Sequence, residues 1–179
     1  IVAGLWAKAI DEASKHPNVL QLLADAAHRW GLPEQQEQTL WAVVDTPNFS
    51  EKALGVLNLL YTQGENTLGL YRVSRKLLER NPNNLAAKNN VIWLGFLLKL
   101  EKPEVFKMAQ DLSNQASGNG IYVSTVAYAF HRQNRTREGI DKLAALPPAE
   151  LDRPGVALVY GYLLAKSGDR QPARTYLKK

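Results

Sequence analysis

Apolar side chains along the chain recur at helical spacing, three and four residues apart, and strand-like alternation never persists. In SEKALGVLNLLYTQG the apolar face is Ala53, Leu54, Leu57 and Leu60, with Ser50 placed to cap the start and Gly64 to end it in a left-handed conformation. NTLGLYRVSRKLLERNP repeats the pattern with Leu70, Val73, Leu77 and Leu78 inward and stops at Pro82. Before these lie LWAKAIDEASKH, ending near Pro17, NVLQLLADAAHRW, ending at Gly31, and PEQQEQTLWAVVD, whose proline suits a first helical turn. After them come NNLAAKNNVIWLGFLLKL, PEVFKMAQDLSNQA, GIYVSTVAYAFHRQN, TREGIDKLAAL, PGVALVYGYLLAKSG and DRQPARTYLKK. The β-branched IYVSTV is the one ambiguous stretch and is read as helix from its neighbours. About eleven helices are expected, with PPAELDRPG as the longest irregular segment.

These helices are not independent. Asn134 and Gly168, which close two of them, stand 34 residues apart; Gly64 precedes Asn134 by twice 35, and Lys99 falls midway. The small residues Gly69, Gly139 and Ala173 keep the same phase inside the second helix of each pair, as do Ala127 and Gly161 inside the first. A period of this length with two helices per unit describes hairpins too small to bury their own apolar faces, which must stack to complete a core. Small residues mark the points where two helices cross closely.

GVALVYGYLLAKSGDRQPARTYL, with Gly161, Tyr162, Gly168, Asp169, Ala173 and Tyr176, resembles the tetratricopeptide-repeat family. LERNPNNLAAKNN resembles that family's inter-repeat link, and VSTVAYAFHRQNRTREGIDKLAAL holds the phase through Ala127 and Gly139. The departures are Leu57 at a small-residue position and Lys99 at a turn-glycine position. The resemblance implies an all-α, right-handed superhelical α-solenoid of about five antiparallel hairpins. It implies one solenoid domain over residues 1–179, degenerate over 1–48 and clearer over 49–179. A start without Met and an ending soon after a helix begins lead us to expect a piece of a longer protein.

Composition narrows the function classes. The 179 residues are 45% hydrophobic and 22% charged, ordinary values for a folded chain. A net charge of +5 is too modest to identify nucleic acid as a partner. The absence of cysteine excludes disulfides and thiolate metal sites. VIWLGFLLKL is about half the length of a membrane span, and IVAGLWAKAIDEASKH lacks the basic leader of a signal peptide. Localisation stays open.

Catalytic motifs are missing: there is no HExxH, phosphate-binding glycine loop or nucleophile elbow, and GENTLG and SGNG are turn sequences. His16, His28 and His131 stand on separate helices, and His28 with Asp25 or Asp11 lacks a third metal ligand. Glu34, Glu37 and Asp45 have the spacing of a wet helix face. No cofactor, metal or catalytic residue is expected.

The resemblance implies a protein-binding scaffold whose first helices line a concave groove. Carried over by position, the lining is Asn58, Tyr61 and Thr62; Asn89, Trp93 and Phe96; Ser124, Tyr128, His131 and Arg132; and Tyr162 and Lys166. The column Asn58, Trp93, Tyr128 and Tyr162 offers aromatic contact area and amide hydrogen bonding, while His131, Arg132 and Lys166 add positive charge. An acidic or C-terminal peptide fits such a lining. Against this stand plainer readings: Trp93 and Phe96 as core, Asn89 and Asn90 as partners of backbone groups, and Arg132 and Lys166 as solubilising charge. Arg72, Arg75, Lys76 and Arg80, and separately Arg132, Arg135 and Arg137, read as solvated surface rather than an RNA strip. The competing functions are a spacer or self-association module assembling through terminal helices, an RNA-binding repeat, and an enzyme on a helical scaffold.

Overall fold

A computed structural model describes residues 2–46, 51–100, 102–115 and 118–178. The described residues contain twelve helices and no strand, so the fold is all-α. Ser50, the expected cap, lies outside the described residues. The chain divides into two compact units, Ile1–Val73 and Ser74–Lys179, and α5 (Thr67–Arg80) runs from one into the other.

The first unit contains α1 (Val2–Ala13), α2 (Pro17–Arg29), α3 (Pro33–Val44) and α4 (Glu51–Gln63). Leu20, Leu40, Leu54 and Leu57 are its fully buried leucines. The Trp6 indole N–H donates to Thr39 Oγ1 at 3.0 Å and ties α1 to α3. Deeper in the sequence, the Tyr61 hydroxyl accepts from Trp41 Nε1 at 2.7 Å and donates to Glu37 Oε1 at 2.6 Å, joining α4 to α3. The Arg72 guanidinium lies 4.4 Å from the Trp41 ring centroid.

The second unit contains α6 (Leu85–Leu97), α7 (Pro103–Gln115), α8 (Gly120–Arg132), α9 (Thr136–Ala144), α10 (Pro148–Leu151), α11 (Pro154–Ser167) and α12 (Arg170–Leu177). Asn84 and Asn119 cap α6 and α8: the side chain of Asn84 accepts from Ala87 N, and that of Asn119 from Ile121 N and Tyr122 N. Close helix crossings depend on small residues. A Cβ on Gly139 would stand 2.6 Å from the Ala127 carbonyl oxygen, and one on Gly161 would stand 2.8 Å from Leu177. The crossing expected at Ala127 and Gly139 is therefore a backbone-level contact, whereas Gly161 lies first against the Leu177 side chain. IYVSTV is helical within α8, whereas PPAELDRPG contains the one-turn helix α10. Pro148 starts that turn and Leu151 anchors it in the core with Leu143, Val156 and Leu163.

The repeat is written most clearly in the turns. Gly31, Glu65, Lys99, Asn134 and Gly168 all have positive φ, at 65°, 50°, 58°, 61° and 94°, and they follow one another at steps of 34, 34, 35 and 34 residues. Each closes the first helix of a pair: α2–α3, α4–α5, α6–α7, α8–α9 and α11–α12. Each is followed by the same backbone bond: Leu32 N to Ala27 O, Asn66 N to Tyr61 O, Leu100 N to Gly95 O, Arg135 N to Phe130 O and Asp169 N to Leu164 O, at 2.8–2.9 Å. This is the Schellman termination, in which a left-handed residue lets the next N–H reach back five residues. The expected left-handed residue at Gly64 is corrected to Glu65, because the bond from Asn66 to Tyr61 puts Glu65 at the turn position. Gly31 carries the register into the N-terminal helices, where the sequence pattern was weakest.

Candidate functional site

In the second unit, α6, α8 and α11 are the first helices of successive hairpins, and their exposed strips meet in an open groove. Trp93 from α6 packs edge-on against Tyr128 from α8, with centroids 5.6 Å apart, and Tyr128 lies 6.1 Å from Tyr162 on α11. These three half-buried rings, with Phe96, Leu97 and Leu158, surround a cavity of about 310 Å³. Phe96 forms its floor: it is only 7% exposed and packs against Tyr128 and Phe106. Leu97 and Leu158 stand at its rim and are 57% and 59% exposed.

The groove has two chemically different ends. Trp93 and Val159 also border a cavity of about 520 Å³ lined by Asn89, Asn90, Ser124, Thr125 and Arg153. Here Asn89 is 7% exposed and its Oδ1 accepts no hydrogen bond. The neighbouring hydroxyls of Ser124 and Thr125 donate to the Ile121 carbonyl. Arg153 lies 3.3 Å from Glu150 Oε2. At the opposite end, Phe96, Leu97 and Tyr128 border a cavity of about 420 Å³ that also takes in Lys99 and Arg132. No carboxylate lines any of the three sections.

His131 stands beside the aromatic wall, 6.0 Å from Tyr128 and 5.5 Å from Tyr162 between centroids, with Nδ1 2.9 Å from Thr136 Oγ1. Burial holds its pKa below the usual histidine value, and the charges of Arg132 and Lys166 push the same way. The Lys166 ammonium lies 5.5 Å from the Tyr162 ring centroid.

Seven of the nine residues singled out from the sequence therefore belong to the second unit: Asn89, Trp93, Tyr128, His131, Arg132, Tyr162 and Lys166. Asn58 and Thr62 belong to the first, exposed on α4, where the Thr62 hydroxyl donates to the Asn58 carbonyl at 2.8 Å. Tyr61, also considered for the lining, is 3% exposed and committed to Trp41 and Glu37. Leu97, Lys99, Arg153 and Leu158 line the groove without having been singled out. Their signal was the i, i+4 pairing of Trp93 with Leu97 and of Leu158 with Tyr162. It was obscured because α6 and α11 are apolar on nearly every side.

Basic residues outside the groove are largely engaged. Arg75 pairs with Glu104 at 3.3 Å, Arg135 with Glu138 at 2.6 Å and Arg137 with Asp141 at 3.2 Å. Among the described residues no helix is long and apolar enough to cross a membrane.

The fold is a tetratricopeptide-like helical repeat. Solved structures agree with that class. A structure titled "MamA 41-end from Desulfovibrio magneticus RS-1" aligns with a TM-score of 0.61 over 90% of this chain and 91% of its own, at 13% identity. One titled "Crystal structure of MamA protein" aligns at 0.61 over 93% and 90%, at 11% identity. A third, from a functional characterisation of Pseudomonas aeruginosa pilF, aligns at 0.54 over 93% of this chain and 74% of its own, at 19% identity. No protein-family model and no curated protein matches the chain.

Proposed function

We propose that this chain is a noncatalytic protein-interaction scaffold of the tetratricopeptide-repeat type that holds an extended segment of a partner along α6, α8 and α11. The observation that carries the reading is the groove's makeup. Three aromatic rings from three successive hairpins share one wall with two exposed leucines. Aromatic rings give large contact area with few rotors to freeze. A scaffold already folded around its groove loses little entropy on binding. The likeness to MamA and PilF structures supports the scaffold class through the fold. The single-domain reading of residues 1–179 is part of this same proposal, and Asn58 and Thr62 are proposed as contact residues of the first unit by itself.

The test is selection of displayed random twelve-residue peptides on the intact chain, with counter-selection on the Trp93→Ala/Tyr128→Ala/Tyr162→Ala triple variant. Circular dichroism establishes that the variant remains helical. Peptides enriched on the intact chain and lost on the variant support the groove. Equal enrichment on both proteins refutes it, and enrichment on neither favours the spacer reading.

A further inference from the structure

The middle section of the groove is walled by rings that are not coplanar. Trp93 and Tyr128 meet at 62°, and Tyr128 and Tyr162 at 46°. A flat guest lies on one of these rings at a time, whereas a ridged chain can touch all three. Leu97 and Leu158 border the same cavity of about 310 Å³ and carry its apolar surface outward.

Hydrogen bonding in this section is one-sided. Of the side chains that line it, only Trp93, Tyr128 and Tyr162 carry polar groups, an indole N–H and two phenol hydroxyls. All three donate, and the two phenol oxygens are the only acceptors among them. An ordinary chain laid on such a wall brings backbone N–H groups that give up water and meet mostly donors. Proline has no N–H to satisfy and still offers its carbonyl.

Charge disfavours the other guest that ring faces hold well, a methylated ammonium. The Lys166 ammonium already lies 5.5 Å from the Tyr162 ring centroid, and Lys99 borders the adjoining section. A second cation on this wall would face both. The dimensions suit an extended proline helix. The two ring-to-ring steps are 5.6 and 6.1 Å. Each is close to two residues of polyproline II, which rises about 3.1 Å per residue, so the wall underlies about four residues.

We infer that the groove takes a proline-rich protein segment in the polyproline II conformation, its pyrrolidine rings lying on Trp93, Tyr128 and Tyr162 and its carbonyls accepting from their indole and phenol groups. This rests on the proposed scaffold reading and adds the partner's residue class and backbone conformation to it. Such a segment loses little entropy on docking, because proline fixes φ beforehand.

Dye-labelled ten-residue peptides with no charged residue and blocked ends provide the test. The first has the core Pro-Pro-Leu-Pro-Pro. The second has Ala in place of each Pro, and the third has Val, which favours an extended strand and keeps its N–H. A fourth is the Ala peptide with trimethyl-lysine in place of the central Leu. Affinities are measured by fluorescence anisotropy on the intact chain at 50 mM and 300 mM salt. The Pro peptide is expected to bind about five- to tenfold more tightly than its Ala and Val twins. That preference is expected to be the same at both salt concentrations, since no ion pair forms. Tyr128→Phe/Tyr162→Phe keeps the rings and removes two donors, and is expected to weaken the Pro peptide about two- to tenfold. Trp93→Ala, shown by circular dichroism to remain helical, is expected to abolish the preference for proline.

A Val twin that binds as well as the Pro peptide, and is lost in Trp93→Ala, overturns the proline specificity and leaves the scaffold reading standing. Tightest binding of the trimethyl-lysine peptide overturns it in favour of an ammonium guest. A proline preference undiminished in both variants puts the proline segment elsewhere than this wall and overturns the inference. Binding of none of the four peptides also overturns it, and the displayed-peptide selection then decides the scaffold reading by itself.

Discussion

Glycine against alanine at the hairpin turns tests the physical origin of the repeat. Gly31 and Gly168 adopt φ of 65° and 94°, and a Cβ placed on either meets no heavy atom within 4 Å. Any penalty for alanine there is backbone strain, not crowding. A Cβ in the left-handed region costs about 1–2 kcal/mol, while glycine's greater freedom in the unfolded chain gives back roughly 0.5–1 kcal/mol. Gly168→Ala is therefore expected to destabilise by about 1 kcal/mol. At Glu65, where φ is 50°, the comparison runs the other way. Glu65→Gly and Glu65→Ala both remove a carboxylate beside the start of α5, so their difference isolates the Cβ. The glycine variant is expected to be the more stable by about 0.5–1 kcal/mol. For a chain of this size that is a melting difference of about 2–4 °C per kcal/mol. Hydrogen exchange gives the local readout, because the Asp169 and Asn66 amides donate the returning bonds to Leu164 and Tyr61. Alanine as stable as glycine at both positions 65 and 168, with unchanged exchange at those amides, would refute turn strain as the basis of the repeat.

Four further outcomes follow from individual contacts. Gly139→Ala puts a Cβ against the Ala127 carbonyl and is expected to cost about 1–3 kcal/mol in a chemical denaturation curve, since backbone cannot yield as a side chain does. Tyr61 is pushed from 10.0 up to about 12 by burial, aided by its bond to Glu37. The unfolded chain loses this proton first, so stability is full below pH 10 and falls by about 2–3 kcal/mol between pH 10 and 12, a slope that Tyr61→Phe removes in alkaline unfolding experiments. His131 is held below 6.5 by burial and then by Arg132 and Lys166, so the unfolded chain takes up its proton first. Stability therefore falls as pH drops below 6.5 and through the lower folded value, and His131→Gln flattens that part of the acid melting profile. Asn89→Leu removes a buried oxygen with no donor and is expected to raise stability by about 1 kcal/mol, read in a chemical denaturation curve.

The sequence disclosed the repeat where glycine or asparagine marks the turn, at Asn134 and Gly168, and left it unclear where Glu65 and Lys99 perform the same turn under strain. Side-chain identity is a weak guide there, because the returning backbone bond enforces the conformation whatever residue sits in it. Gly31 escaped the pattern for another reason: Ala24 keeps the phase of Ala127 and Gly161, but Gln36 stands where Gly139 and Ala173 give the later pairs their small residue. The groove was legible through its aromatics and charges but not through its leucines. In α6 and α11 almost every position is apolar, so periodicity does not say which face is left open. Only the packing of α8 between them separates buried Val91 and Ile92 from exposed Leu97.

That separation also bears on the choice between scaffold and spacer. A spacer is most stable when exposed positions are polar and buried positions apolar. The groove has the reverse assignment at three points: Leu97 and Leu158 more than half exposed, and Asn89 buried with an unanswered oxygen. Each assignment costs free energy in the isolated chain, and an extended partner that covers the two leucines relieves their part of it. Elsewhere in the same unit Leu112, Leu143 and Leu163 are buried and Arg137 of α9 is paired at the surface. Exposed leucines are not confined to this strip, since Leu177 on α12 is 48% exposed, but Leu97 and Leu158 are the ones that flank the aromatic wall, as the proposed scaffold reading requires.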